Sequence, residues 1–443
     1  MSTSIHPAGD LALRTRSRVT RRLIPYLMFI YLLAYLDRAN ISVAKLGMLS
    51  TLGFNDSIIG LGAGVFFIGY LLVNIPATLI VERWSARKLI AQIMMAWGLV
   101  ASAMGFLGAP AIGFLRITTQ FYVLRMLLGV AEAGLFPGII IYISHWYCPS
   151  DRPRAKGYFM VSQSIAVATG VPLSRWILDN IHWAGLASWR WVFLLEGILP
   201  FFMGIVTLWY LVDRPAQAAW LPTEEKQWLV SQLAADEALK TSTHRVRIVD
   251  ALRNPQIFLL TGILFLIVTG NQALIFFMPS VTDAMKSLPV SLRTLAAGMP
   301  YAFSALGILL NGIWAQRTGK LRAHTALPVL ATATSLALAV LARDHVWLMA
   351  ALLSLTGFTA QAYMPPFWTL PTTLLGKSAA ATAVGIICLG NLGGLAGPWL
   401  FGYLKTLTGS YTAGLLVMSG CMLIAGVLAT QLKTDQAIKG ATP

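Results

Sequence analysis

Long apolar segments recur along almost the whole chain, and they constrain its fold more than any other feature. About 20 predominantly apolar residues are needed to cross the hydrocarbon core of a bilayer as a helix. Twelve segments meet this need, near 23–46, 58–81, 88–108, 114–145, 156–178, 189–212, 256–279, 293–315, 324–342, 346–370, 380–404 and 411–431. Only 11% of the 443 residues are charged, against about a quarter in soluble domains. The sequence therefore predicts an all-α polytopic membrane protein with twelve transmembrane helices.

One long polar stretch follows the sixth span and divides the chain into two halves. We expect a cytoplasmic tail at 1–22, a six-helix bundle at 23–212, a cytoplasmic linker with an amphipathic helix at 213–255, a second six-helix bundle at 256–431 and a cytoplasmic tail at 432–443. Short basic turns follow both the second and the eighth span, at 82–88 and 316–322. This echo favours two pseudo-symmetric bundles, a plan that recurs among secondary transporters.

The placement of positive charge predicts the topology. The net charge is +16, and with a cytoplasmic N-terminus 23 of the 33 Lys and Arg residues fall in cytoplasmic segments and 7 in outer loops. This asymmetry is typical of membrane proteins with both termini inside, and it leaves no basic surface for nucleic acid. Cys148, Cys388 and Cys421 are scattered, so we expect neither a disulfide framework nor a metal site.

The fourth span carries two charges inside an apolar stretch, Phe121 to Pro137. Arg125 and Glu132 are seven residues apart, so they share a helix face about 10 Å apart along the axis. Charges in lipid normally face a bundle interior or a water-filled path. This favours a substrate and proton route, in which Arg125 binds a carboxylate through its planar guanidinium and ionised Glu132 competes for Arg125. A static ion pair that joins two helices is the alternative, and Pro137 is expected to bend the helix just beyond.

Further polar residues lie within other spans. Asp37 and Arg38 are neighbours in the first span, so they point about 100° apart and need different partners. Protonation of an intramembrane aspartate can depend on which way the cavity opens; a purely structural network is the alternative. Glu196 lies nearer an outer end and is interpreted as structural. Arg175 either caps the outer side of the cavity or extends towards the interface. Trp368, among several prolines, suggests an aromatic lining on a broken tenth span.

The chain resembles the major facilitator superfamily, and within it the anion:cation symporter family of organic-acid permeases, from about Arg22 to Thr430. The resemblance depends on motifs in several spans: Tyr35-Leu36-Asp37-Arg38-Ala39-Asn40, Phe66-Phe67-Ile68-Gly69-Tyr70 with Glu82-Arg83, Arg125-Met126-Leu127-Leu128-Gly129-Val130-Ala131-Glu132-Ala133-Gly134 with Phe136-Pro137-Gly138, Phe193-Leu194-Leu195-Glu196-Gly197, Phe367-Trp368-Thr369-Leu370-Pro371-Thr372, and Gly390-Asn391-Leu392-Gly393-Gly394 with Gly397-Pro398. Two positions depart from the family pattern: Ser85 stands where the loop after the second span usually has Gly, and Gln316 where the repeat of that loop usually has an acid.

The resemblance implies specific roles for these residues. It makes Asp37 and Glu132 the proton-coupling sites. It implies substrate binding by Arg125, Arg38, Tyr35, Tyr70, Gln163, Asn391 and Trp368. It places a gating loop and its repeat at Glu82, Arg83, Arg87, Lys88, Arg317 and Arg322, where the two departures predict a weaker cytoplasmic latch. Each polar residue could instead make a helix–helix hydrogen bond.

These patterns favour import of a small organic anion by proton symport with alternating access. A proton-coupled exporter is the alternative, although only Gly170-Val171-Pro172 resembles the glycine–proline motif of exporters. A membrane enzyme would need a positioned His with Asp or Ser, and only His145 and Asp151 are candidates. No Walker motif is present, so the proton gradient is the expected driving force, without a cofactor. We expect a monomer in lipid, in a bacterial inner membrane, with a small organic acid and protons as its partners.

Overall fold

The computed structural model describes residues 7–83, 85–109, 115–148, 151–240 and 254–432, which form helices joined by short turns. The first half contains α1 (Pro7–Thr51), α2 (Asp56–Arg83), α3 (Ala86–Ala103), α4 (Ile117–Glu132), α5 (Leu135–Trp146), α6 (Arg152–Asn180) and α7 (Ser188–Tyr210). Helix α8 (Thr223–Lys240) lies between the halves. The second half contains α9 (Pro255–Asp283), α10 (Val290–Thr318), α11 (Leu321–Leu341), α12 (Val346–Ala360), α13 (Met364–Ile387), α14 (Gly393–Thr408) and α15 (Tyr411–Thr430).

The predicted twelve-span, all-α architecture is confirmed. Eleven helical stretches in the described ranges are long and apolar enough to cross a membrane, and α6, with 29 residues, takes the place of the predicted fifth span. Large apolar side chains cover the outer surface of the bundles, among them Trp209, Leu341 and Trp347, which are 79%, 77% and 69% exposed. A lipid-facing surface favours such exposure, because hydrocarbon solvates these groups well.

Helix boundaries differ from the predicted spans at two places. Helix α1 begins at Pro7, so most of the segment predicted as a tail is helical. Ion pairs account for this extension: Arg14 binds Asp10 one turn away at 3.1 Å, and Arg18 binds Glu225 of α8 at 3.0 Å. Helix α13 continues through the turn predicted between the tenth and eleventh spans.

The fourth span of each half is broken near its middle. In the first half α4 ends at Glu132 and α5 begins at Leu135. In the second half α12 ends at Ala360 and α13 begins at Met364. Proline explains both breaks, since Pro137 and Pro365 carry no N–H for the carbonyl four residues earlier. The equivalent positions of the breaks agree with the predicted repeat, and broken helices in transporters often line the substrate site.

The two halves pack closely at the end of the molecule opposite α8. A Cβ atom on Gly60 of α2 would lie 2.2 Å from the carbonyl oxygen of Pro398 in α14, and one on Gly402 of α14 would lie 2.2 Å from that of Asp56. Only glycine permits this approach, which is a common device for packing membrane helices. Helices α2 and α14 therefore join the halves at this end.

Candidate functional site

Arg38 and Glu132 form an ion pair between α1 and α4. The Nη2 atom of Arg38 lies 2.6 Å from Oε1 of Glu132, and the two side chains are 15% and 1% exposed. Three aromatic rings surround the guanidinium, with centroids 4.9 Å (Tyr35), 5.0 Å (Tyr70) and 5.3 Å (Phe66) from Cζ. Contact with ring faces stabilises a cation, most strongly where water is excluded. The structure therefore brings together four residues to which the resemblance assigns a role in binding or proton coupling: Arg38, Glu132, Tyr35 and Tyr70.

Arg125 occupies a different environment from the one predicted. Its side chain is fully buried, its Nε donates to the carbonyl oxygen of Gly62 at 3.2 Å, and Cζ lies 5.3 Å from the Phe66 ring centroid. Nη1 and Nη2 have no hydrogen-bond partner among the described residues. Glu132 thus binds Arg38 rather than Arg125. The aromatic side chains around Arg38, from α1 and α2, hold its guanidinium against the end of α4.

Two glycines set the geometry of this site. A Cβ atom on Gly129 of α4 would lie 2.0 Å from the carbonyl oxygen of Phe66, and one on Gly69 of α2 would lie 2.2 Å from that of Met126. Helices α2 and α4 are therefore in backbone contact beside the ion pair. This contact positions Phe66 and Tyr70 against the Arg38 guanidinium.

Asp37 faces away from the ion pair, as its position next to Arg38 requires. Its Oδ2 accepts a hydrogen bond from Nε1 of Trp97 in α3, and its Oδ1 accepts one from Nδ2 of Asn40, both at 3.0 Å. The side chain is 1% exposed. No sequence pattern singled out Trp97, because it is one of several tryptophans in apolar spans.

Gln163 joins the two halves near the second helix break. Its Nε2 lies 3.4 Å from Oε1 of Gln361, which sits in the turn between α12 and α13. Two buried or half-buried amides bind carbonyl groups at the same break: Asn271 donates to Ala360 at 3.1 Å and Asn311 donates to Ala362 at 2.6 Å. These amides stabilise carbonyls that the broken helix leaves without intrahelical partners. The sequence analysis singled out Gln163 but not its partner Gln361.

Two predicted substrate-binding residues stand apart from the ion pair. Trp368 is half-buried on α13, with its ring 5.3 Å from that of Phe367. Asn391 is half-buried in the short turn between α13 and α14. Within the described ranges, no hydrogen bond or ring contact joins either residue to Arg38, Arg125 or Glu132. Their predicted role in binding stays a prediction.

The predicted gating loop contacts the end of α7. Ser85 caps α3 by accepting the N–H of Lys88 at 3.1 Å, and its hydroxyl donates to Asp213 at 2.6 Å. The backbone N–H of Arg87 donates to the same carboxylate at 3.0 Å. Ser85, which departs from the family pattern, therefore ties this loop to the linker. The side chains of Glu82 and Arg83 lie outside the described residues, and in the repeat Arg317 is exposed and Arg322 is half-buried.

A second charged cluster joins the halves at the end opposite α8. Asp283 of α9 binds Arg293 of α10 at 2.9 Å and lies 3.6 Å from Nη1 of Arg175 in α6. Nearby, Lys45 of α1 is fully buried, 3.2 Å from Oδ1 of Asp56 and 3.6 Å from the centroid of Phe277 in α9. Arg175 thus contributes to the contact between the halves at this end, and its predicted role in capping the cavity stays a prediction. Asp283 was not singled out from the sequence.

Comparison with known proteins assigns the family. The model of the Major Facilitator Superfamily matches residues 27–398. An Agrobacterium vitis protein provisionally named a tartrate transporter is 35% identical, over 95% of this chain and 91% of its own length. NicT of Pseudomonas putida, provisionally named a metabolite transport protein, is 36% identical over 97% of both chains. A quinolone resistance transporter of Acinetobacter baumannii is 34% identical over 93% of both.

Solved structures share the fold. A bacterial homologue of the human lysosomal transporter Spinster, in an inward-facing conformation, superposes with a TM-score of 0.75 at 16% identity, covering 97% of this chain and 99% of that one. A D-xylose–proton symporter superposes with a TM-score of 0.72 at 14% identity, covering 95% and 99%. The chain is a transporter and not an enzyme, and it belongs to the Major Facilitator Superfamily.

Proposed function

We propose that this protein imports a small organic anion together with protons by alternating access, across a bacterial inner membrane, as a monomer with both termini in the cytoplasm. The observation that carries the proposal is the ion pair between Arg38 and Glu132. The Arg38 guanidinium is partly exposed on one side and is bound by the titratable Glu132 carboxylate on the other. It is therefore suited to bind either Glu132 or the carboxylate of a substrate.

Competition for Arg38 links the proton to the substrate. While Glu132 is ionised, it occupies Nη2 of Arg38 at 2.6 Å. Protonation removes the negative charge and frees the guanidinium for an incoming anion, so each ligand favours the binding of the other. The rings of Tyr35 and Tyr70 would form the apolar walls of this subsite, and their hydroxyl groups can bind substrate oxygens.

Charge balance agrees with this scheme. Two arginines and two carboxylates lie close enough to act on one another: Arg38, Arg125, Asp37 and Glu132. With both acids ionised the net charge of the four groups is zero, and each bound proton raises it by one, so each proton can balance one carboxylate of a substrate. Arg125 is fully buried, so its role here is to hold positive charge at the site. Moving one negative charge into a negative interior costs about 2.3 kcal/mol per 100 mV of membrane potential, and each proton that enters with the anion cancels this cost for one charge.

The names of relatives support an organic anion as the substrate. One relative at 35% identity is provisionally named a tartrate transporter, and NicT, at 36%, a metabolite transport protein. Tartrate carries carboxylates and hydroxyls, the groups that Arg38, Gln163 and Gln361 are equipped to bind. The Asp283 cluster joins the halves at the end opposite α8, so we propose that substrate reaches the site from the α8 side in this conformation.

Export of an organic solute is the second candidate. A relative named a quinolone resistance transporter is 34% identical over 93% of this chain, and that name favours outward transport. The Arg38–Glu132 pair would serve an exporter equally well if protons moved inward as the solute left. The direction of coupled flux separates the two candidates.

Transport in proteoliposomes tests the proposal. Purified protein is reconstituted with an inward proton gradient and a panel of labelled hydroxy and aromatic carboxylates, with tartrate among them. We expect accumulation of at least one acid, faster at lower external pH and collapsed by a protonophore. Accumulation driven by sodium at constant pH and insensitive to the protonophore would contradict proton coupling. Proton-driven efflux with no uptake would favour the exporter.

A further inference from the structure

Glu196 of α7 is a buried carboxyl group that the mechanism above leaves unused. Its side chain is 5% exposed, and its Oε1 accepts a hydrogen bond from the hydroxyl of Ser174 in α6 at 2.7 Å. None of the ion pairs among the described residues includes Glu196, and Asp37 is the titratable group whose charge acts on it. An ionised carboxylate buried without a cation is strongly disfavoured.

Glu196 and the neighbouring Asn40 side chain each have one buried oxygen without a hydrogen-bond partner among the described residues. The Asn40 side chain is a neighbour of Glu196, and its Nδ2 already donates to Asp37 at 3.0 Å. Oδ1 of Asn40 and Oε2 of Glu196 are both buried and have no hydrogen-bond partner in the part of the chain that the structure describes. Both atoms are acceptors, so they cannot bind each other without a hydrogen. One proton on Oε2 satisfies both at once.

We propose that Glu196 is a further proton-binding residue of this transporter, and that in this conformation its carboxyl group is protonated and donates to Oδ1 of Asn40. The result is a continuous chain of hydrogen bonds from Ser174 through Glu196 and Asn40 to Asp37, which Trp97 binds from the other side. The neighbouring helix α3 presents backbone to α7 here, with Ser102 N 2.6 Å from a Cβ placed on Gly197. This inference extends the proposed function, in which Asp37 is a proton-coupling residue.

The Asn40 amide couples the two carboxyl groups. When Glu196 carries the proton, Asn40 presents its oxygen to Glu196 and its N–H to Asp37, which favours ionised Asp37. If Glu196 loses the proton, it becomes an acceptor only and attracts the N–H that stabilises Asp37. A proton on one carboxyl group therefore favours ionisation of the other, and the orientation of Asn40 follows the proton.

Infrared difference spectroscopy tests this proposal without substrate or gradient, so its outcome is separate from that of the transport assays. The protein in lipid is compared with the E196Q variant at neutral pH. We expect the variant to lose a carboxylic acid carbonyl band that is present in the wild type. E196Q should keep the wild-type melting temperature, because glutamine places an N–H donor where the acid has its O–H. An unchanged carboxylic acid band would overturn the proposal.

Glu225 provides the matched control. It is 5% exposed like Glu196, but Arg18 forms an ion pair with it at 3.0 Å, so E225Q should leave the band intact. If E196Q does not fold, the N40L variant gives an independent test of the same hydrogen bond. Removing the acceptor should shift the band to higher frequency without abolishing it, and a band at the wild-type position in N40L would contradict the bond to Asn40.

Discussion

The Arg38 guanidinium of α1 binds the Glu132 carboxylate of α4 at 2.6 Å, inside a cage of aromatic rings. Glu132 is the last residue of α4, next to the break that Pro137 introduces. A carboxylate at the end of a half-helix can change partner without disturbing a continuous hydrogen-bond ladder. This placement lets a single protonation event alter both the charge of the site and the freedom of Arg38.

Replacing Arg38 by Lys should weaken substrate binding although the charge is kept. Lysine lacks the planar fork that binds a carboxylate through two parallel bonds and stacks on Tyr35 and Tyr70. Loss of one charge-assisted hydrogen bond corresponds to about 2 kcal/mol, or about a 30-fold loss of affinity. Binding of the identified acid by calorimetry measures this effect. Arg317→Lys, at an exposed position, is the control and should bind normally; wild-type affinity in Arg38→Lys would remove Arg38 from the site.

Arg125→Lys should also lose most transport, for a different reason. Arg125 is buried and its Nε holds the carbonyl of Gly62, a contact that the lysine ammonium cannot reproduce beside Phe66. We therefore expect reduced thermal stability together with reduced flux, whereas Arg38→Lys should leave stability close to wild type. Equal melting temperatures for Arg125→Lys and the wild type would show that Arg125 does not support the packing of α2 on α4.

Gly129→Ala should destabilise the first bundle. Its Cβ would lie 2.0 Å from the Phe66 carbonyl oxygen, so α2 and α4 must separate. Overpacking of this kind typically costs about 1–3 kcal/mol. Gly420→Ala in α15, where nothing lies within 4 Å of the added atom, is the matched control and should be neutral or slightly stabilising. Thermal unfolding of both variants in detergent measures the difference, and equal stability would contradict the close approach of the two helices.

Asp283→Asn should favour opening at the end opposite α8. The change removes the negative charge that joins Arg293 of one half to Arg175 of the other, while Arg175 keeps its pair with Asp179 at 2.8 Å in its own helix. Distances between spin labels on α6 and α10 should lengthen relative to the wild type. Asp344→Asn, at an exposed residue that is 83% accessible, should leave the distances unchanged. An unaltered distribution in Asp283→Asn would show that the cluster does not hold this end closed.

The predicted topology has a direct check. The distribution of basic residues, with 23 of 33 in predicted cytoplasmic segments, predicts that both termini and the region near Lys240 lie inside the cell. Reporter tags at these three positions should all give cytoplasmic signals. An external signal near Lys240 would overturn the arrangement of two six-span halves.

Sequence patterns predicted the number of spans and singled out Arg38 and Glu132, but they did not predict that these two residues pair. Apolar length identifies a span locally, and Arg38 and Glu132 stand out because charges are rare in lipid. The partner of Glu132 depends on how α1, α2 and α4 pack in three dimensions, so the chain spacing from Arg125 suggested the wrong pair. Trp97 and Asp283 were missed for the same reason. Neither residue is unusual in its own segment, and each shows a role only through its contact with a residue of a distant helix.

The Glu132→Gln variant tests the central claim most directly, because glutamine imitates the protonated acid. In proteoliposomes, exchange of labelled for unlabelled substrate should persist, since Arg38 is free to bind the anion. Proton-driven accumulation should fail, since no proton can be released at this position. If Glu132 is instead a static partner of Arg38, the variant leaves a buried cation unpaired at a cost of about 3–5 kcal/mol. A sharp fall in melting temperature with loss of both exchange and accumulation, or accumulation at the wild-type level, would contradict the account.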